Sequence, residues 1–224
     1  MPWTYIQGGV GSHTSGTGTS LALTFAGNVT AGDLILVGVS ANAVNGGLSV
    51  GDSSSNVYLA DVTESSGFET AIFRAVASAT GALTVTITSV DAVFISGCID
   101  EFQASAAISL DSTASATGTS TTPSSGTCAV SGSSDLVYGL LSHESTSLPA
   151  TEGAPFVGTY NLAFQAGNHF GISAQYALNQ SAGIAATWTT ASALWCAVAA
   201  SYAAAVISSY SPWIFGDQTG EMWG

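Results

Sequence analysis

Gly51-Asp52-Ser53 follows the apolar stretch Leu48-Ser49-Val50, a setting in which a turn after a strand can present a serine nucleophile. Such a serine needs a base, normally a His supplied by a late Asp-x-x-His. None of His13, His143 or His169 has an aspartate three positions before it. The segment therefore reads as a turn, and the chain as non-enzymatic. His143-Glu144, Glu152 and His169 carry metal-binding atoms, but their spacing matches no helical or knuckle motif. Asp52, Asp61, Asp91, Asp100 and Glu101 offer oxygens to Ca²⁺ without an EF-hand or a nonapeptide calcium repeat. Cys98, Cys128 and Cys196 form an odd set with no CxxC pair, and the first and last lie in apolar runs, where cysteine acts as a small hydrophobe. No cofactor and no metal are expected.

Composition narrows the partners. Of 224 residues, 46% are hydrophobic, enough for a sizeable core, while only 7% are charged. There is no lysine, Arg74 is the sole permanent cation, and the formal net charge is −13. Neutralising phosphates takes Lys and Arg, so nucleic acid is excluded as a partner, and anionic membrane surfaces with it. Assembly contacts must then use apolar area and hydroxyl or backbone hydrogen bonds. The near-absence of Lys and Arg also removes trypsin sites. Met1 to Gln7 shows neither a basic region nor a following apolar one, so no secretory signal is read there, and synthesis in the cytoplasm is expected.

The elements that must position these residues are strands. Runs rich in Val, Thr, Ile, Phe and Tyr, punctuated by Gly, Ser, Asn and Asp, predict strands near Ser20–Phe25, Asp33–Ala41, Asn56–Ala60, Phe68–Ala77, Ala82–Ser89 and Val93–Phe102. A second set follows near Gly126–Val130, Ser134–Ser142, Val157–Gln165, Phe170–Leu178, Gly183–Thr189 and Ala193–Ala203. The sets are related. Asp33-Leu34-Ile35-Leu36-Val37-Gly38-Val39-Ser40 recurs as Asp135-Leu136-Val137-Tyr138-Gly139-Leu140-Leu141-Ser142, a shift of 135 − 33 = 102 residues. The same shift lays Gly81–Thr86 on Gly183–Trp188 and Val93–Cys98 on Trp195–Ala200. A duplicated β unit predicts an all-β, jelly-roll-like β-sandwich built from two repeated halves, each half covering the other's bare face. The halves span about 20–111 and 126–208, with the Thr/Ser/Gly stretch Ser112–Ser125 as the crossover. Two tandem small sandwiches are the alternative.

Residues 1–19 read as an N-terminal arm and 209–224 as a C-terminal aromatic arm. Trp3, Tyr5, Tyr210, Trp213, Phe215 and Trp223 are the candidate partner-docking residues, since Trp and Tyr are common interface anchors. Arg74 shares a strand face with Ile72 and Val76 and is expected to pair with Asp100 or Glu101. Its counterpart in the second copy is read as Gln175, one residue off the common shift.

Val50-Gly51-Asp52-Ser53-Ser54-Ser55-Asn56-Val57-Tyr58, followed by Ala71-Ile72-Phe73-Arg74-Ala75, Leu83–Thr88 and Ile99-Asp100-Glu101-Phe102, is similar to a recurrent β-sandwich module. That module reads V-x-D-S-x-G-N-x-Y, then I-[FY]-x-A and T-V-T, and occurs in phage virion proteins and bacterial surface proteins. Ser55 stands where the module usually has Gly. The resemblance covers about Ala31 to Ser125 and implies a structural or adhesive role with no catalytic residue. The expected function is a bacteriophage virion structural protein: a capsid decoration or cement protein, or a head or tail fibre component. It would contact other virion proteins and itself as a homo-oligomer. A carbohydrate-binding or adhesive module is the alternative, with Tyr138, Tyr160, Tyr176 and Trp188 available to stack on sugars.

Overall fold

The computed structural model describes residues 3–42, 47–146, 150–167 and 169–204. The first half of the chain supplies β1 (Trp3–His13), β2 (Gly18–Thr24), β3 (Leu34–Asn42), β4 (Leu48–Asp52), β5 (Leu59–Ser65), β6 (Phe68–Val76), β7 (Thr84–Val93) and β8 (Ile95–Ala104). The second supplies β9 (Ile108–Ser120), β10 (Ser124–Cys128), β11 (Asp135–His143), β12 (Thr151–Glu152), β13 (Val157–Leu162), β14 (Gly171–Gln180), β15 (Ile184–Thr189) and β16 (Ala193–Ala204). All pairings between these strands are antiparallel.

The duplication is visible strand by strand. The first half forms a five-stranded sheet, β1-β8-β3-β6-β5, and a three-stranded sheet, β2-β7-β4. The second forms β9-β16-β11-β14-β13 and β10-β15-β12, the same order with each number raised by eight. Each half is thus a two-sheet β-sandwich with its own core. Leu21, Leu23, Val85 and Ile87 of the small sheet pack on Ile35, Val37, Val39 and Ile99 of the large one. In the second half Cys128, Ala186 and Trp188 meet Val137, Leu141, Ala197 and Ala199.

A third core lies between the two five-stranded sheets. Leu34, Leu36, Ile72 and Phe102 meet Leu136, Tyr138, Leu140, Ile172, Val198 and Tyr202 there. Four sheets therefore stack as layers, with the five-stranded ones in the middle and buried on both faces. This is why β3 and β11 read as unbroken apolar runs, whereas β7 alternates Thr with Val or Ile. The apolar area is divided differently from the expected single sandwich of two one-faced halves. The halves do face each other, but each is already closed by its own small sheet.

Three readings change with this architecture. Ser112–Ser125 is not a crossover: β9 and the start of β10 occupy it, and the connection between halves is Ser105–Ala107. Within the expected N-terminal arm, Trp3–His13 forms the β1 edge of a five-stranded sheet. The common shift of 102 fails in the last strand: Leu34 pairs Phe102 whereas Leu136 pairs Tyr202, so β8 maps on β16 with a shift of 202 − 102 = 100. A slip of two preserves which side chains face inward. β1 and β9 escaped the sequence reading because Gly, Ser and Thr blur their alternation, and β4 and β12 because they are only five and two residues long.

Trp3 is 1% exposed and belongs to the core between the large sheets. Trp3→Ala should therefore lower stability by about 3–5 kcal/mol. A urea unfolding midpoint matching that of the native chain would show that β1 contributes nothing to that core.

Candidate functional site

The large sheets meet in a mostly apolar layer, and the few polar side chains inside it are the chain's most chemically distinctive groups. Asp100 on β8 is fully buried. Its Oδ2 accepts hydrogen bonds from the Tyr138 hydroxyl of β11 at 2.7 Å and from Thr159 Oγ1 of β13 at 3.0 Å. Its Oδ1 accepts from the Gly9 backbone N–H at 2.9 Å and, more weakly, from the Tyr5 hydroxyl at 3.4 Å. Gly8 and Gly9 make this possible. The β1–β8 register breaks around them, Gly9 adopts φ +64°, and a Cβ on Gly8 would collide with the Asp100 carboxylate. Burial raises the Asp100 carboxyl above its ordinary range, against the opposing pull of these four donors. Tyr138 is likewise pushed far up by burial and by the facing carboxylate.

A second polar group bridges the other side of the same layer. Arg74 on β6 pairs with Asp61 on β5 at 2.9 Å, and the Tyr202 hydroxyl of β16 donates to the same carboxylate at 2.7 Å. The expected partners of Arg74, Asp100 and Glu101, are engaged elsewhere: Glu101 accepts from Gln7 at 2.6 Å and from the Thr30 backbone N–H at 2.9 Å. Arg74's counterpart is Tyr176, not Gln175, because Leu36 pairs Arg74 as Tyr138 pairs Tyr176. Asp61 was hidden from strand alternation by a bulge: the β5–β6 register breaks between Ala60 and Val62, turning Asp61 inward. Asp100 had a fainter signal, a lone acid sharing its strand face with Cys98 and Phe102.

The residues of the module-like motif converge on one carboxylate. Asp52 accepts from the backbone N–H of Ser54 and Asn56 at 2.9 and 3.1 Å, from Asn56 Nδ2 at 2.8 Å and from the Tyr58 hydroxyl at 2.9 Å. Burial works against the charge, but the bonds from Asn56, Tyr58 and Ser54 outweigh it and hold the carboxyl below its ordinary range. Asn56 Oδ1 in turn accepts from the Ser78 backbone N–H at 2.8 Å, tying the loop to the end of β6. Ser55 sits at φ +58°, the conformation that suits the glycine usual in the module. Gly51 and Asp52 accordingly close β4, Ser53 opens the turn after it, and the Asp52 carboxylate organises the loop that follows.

The remaining candidates are dispersed. His143 is buried, accepts from the Ser145 N–H at 3.1 Å, and is lowered to about 4 by burial. His169 lies against His13 with the rings tilted and their centroids 3.8 Å apart, across the two halves. Among the described residues no three His, Cys, Asp or Glu side chains gather as a metal site. Tyr138 and Trp188, expected to stack on sugars, are buried; Tyr160 and Tyr176 are half-buried and pack into the layer between halves. Of the expected docking residues, Trp3 and Tyr5 are spent inside the molecule, Tyr5 stacking on Tyr176 at 4.9 Å. Tyr210, Trp213, Phe215 and Trp223 lie outside the described residues. No protein-family model, curated protein or solved structure matches this chain.

What the site can do is hold. Asp100→Ala would leave the buried Tyr138 hydroxyl and the Gly9 N–H without their acceptor, at a cost of about 2–4 kcal/mol, while Asp100→Asn retains most bonds and should cost less. Its folded pKa is raised, so the carboxyl's contribution is fully present below its unfolded value of 3.8 and fades as pH climbs through the folded value. Urea midpoints measured from pH 4 upward should therefore fall less steeply with pH in Asp100→Asn. An identical slope would remove Asp100 as the titrating group.

Ser55→Gly relieves a left-handed backbone that costs a non-glycine residue about 1 kcal/mol, partly offset by added chain entropy when unfolded. A gain of about 0.5 kcal/mol, read as a small rise in Tm, is expected. A loss of stability would show that the Ser55 side chain contributes more than its strain.

Proposed function

We propose that this chain is a non-catalytic structural component of a bacteriophage virion, a capsid decoration or cement protein or part of a head or tail fibre. The observation that carries the reading is how its reactive side chains are used. Asp100, Tyr138, Asp61, Arg74 and Tyr202 are turned inward to hold two closed sandwiches together. Such an arrangement favours a rigid, chemically quiet building block. The similarity of Asp52, Asn56 and Tyr58 to a module of phage virion and bacterial surface proteins supports the same reading, as does the near-absence of Lys and Arg. The chain's one arginine lies in a strand and in an ion pair, with a side-chain exposure of 21%. That placement suits a particle exposed to proteases.

Other virion proteins are the proposed partners, with a homo-oligomer as the form of assembly. The aromatic stretch Tyr210–Trp223 is the proposed docking segment. The alternative of sugar stacking draws no support from Tyr138 and Trp188, which are covered. Mass spectrometry of purified particles should find this chain in many copies, and a chain lacking residues 209–224 should be incorporated less. Particles devoid of the chain would end the virion reading.

A further inference from the structure

The two five-stranded sheets do not merely face each other; they do so with two-fold symmetry. Across the layer β1 faces β13 and β5 faces β9, while β6 faces β16 and β8 faces β14. In repeat terms, strand one meets strand five of the other half, and five meets one. Strand six meets eight, and eight meets six. β3 and β11, the equivalent central strands, lie at the centre of the layer. A contact of i with j matched by j with i is the signature of an isologous interface, the kind made by two identical subunits.

Residue contacts obey the same rule. Phe68 and its equivalent Phe170 pack on each other as tilted rings with centroids 4.7 Å apart. Arg74 lies with Tyr202 around Asp61; the equivalent Tyr176 packs on the equivalent Phe102 at 5.2 Å. The bulge that turns Asp61 inward on β5 recurs on β13, where it delivers Thr159 to Asp100. Gly38 meets its own equivalent, Leu140: a Cβ built on Gly38 would stand 2.6 Å from a Leu140 methyl, and 2.8 Å from Cys98 Sγ on the adjacent strand. Duplication has let one position become a hole and the other the bump that fills it.

We infer that the inner five-stranded face is a homotypic docking surface whose partner is another copy of the same sandwich. The second half supplies that copy within the chain, and a second chain supplies it when two molecules exchange halves about Ser105–Ala107. The surface sees the same contacts in either case. Only the short connection, through the high effective concentration it imposes, favours the closed monomer. Exchange between two chains rebuilds every interface contact and alters the hinge alone, a low-cost route to a dimer. The inference rests on the symmetry and not on the virion reading, so particles lacking this chain would overturn that reading and leave this one standing.

Gly38 and Leu140 provide the test in the full-length chain. Gly38→Ala pushes a methyl into Leu140 and against Cys98 Sγ, and Leu140→Ala leaves a void, so each variant alone should show a lower urea midpoint, and only the Leu140 share of the clash is open to rescue. The double variant in one chain should recover part of the loss, since the new methyl enters the space Leu140 vacates. The two single variants are then unfolded together in urea, refolded together, and weighed by native mass spectrometry. Exchange yields a mixed dimer in which one interface is wild type and the other carries the compensated pair. Mixed dimers exceeding the statistical share over both same-variant dimers are the expected result. Monomers alone, alongside a double variant that recovers, would overturn docking between chains. A double variant no more stable than the sum of its parts would overturn the complementarity at the centre of the layer. Wild-type chain refolded at rising concentration should likewise show a rising fraction of dimer.

Discussion

Two large β-sheets, each buried on both faces, press against one another through the middle of this molecule, and the rest of the structure answers to that contact. A sheet covered by its own small partner sheet on one side still exposes a broad apolar surface on the other. Leu34, Leu36, Ile72 and Phe102 on one sheet, and Leu136, Leu140, Ile172 and Val198 on its equivalent, form such surfaces. An apolar patch of that size is a liability when it faces water. Joining two copies head to head removes it, which gives the duplication a physical purpose.

Polar groups within the layer set its register. A purely apolar face tolerates sliding, whereas a buried carboxylate with four donors does not. Asp100 draws on β1, β11 and β13, and Asp61 draws on β6 and β16, so both span the two halves. Leaving either carboxylate without its donors would cost far more than the bonds contribute net, and the layer therefore has one well-defined arrangement. The backbone yields to this demand. Gly8 and Gly9 bulge β1 around Asp100, and paired bulges on β5 and β13 turn Asp61 and Thr159 inward.

Equivalent positions have diverged where symmetry brings them together. Gly38 against Leu140 fills a space that two leucines would overfill and two glycines would leave hollow. Arg74 corresponds to Tyr176 in the other half, where aromatic packing on Phe102 stands in place of an ion pair. Such pairs work because each residue meets a different neighbour from its counterpart, which covalent fusion guarantees. The charge balance is consistent with this economy: with one arginine available, only one carboxylate in the layer has a cation, and Asp100 relies on hydroxyls and a backbone amide instead.

The strand-rich character and the duplication were legible from residues alone, because apolar runs and a repeated Asp-Leu-[IV] opening depend only on local pattern. The loop around Asp52 was legible too, since Asn56 and Tyr58 lie within six residues of it. Edge strands β1 and β9 were not: Gly, Ser and Thr leave no alternation, and only pairing with β8 and β16 makes them strands. The partner of Arg74 was likewise beyond sequence, because a one-residue bulge reverses the face on which Asp61 stands. That Trp3 and Tyr5 face inward, and that each half closes its own sandwich before meeting the other, was decided by tertiary packing. Strand order and sheet stacking bring together residues some hundred positions apart, and no local pattern encodes which of two buried faces a sheet turns toward its twin.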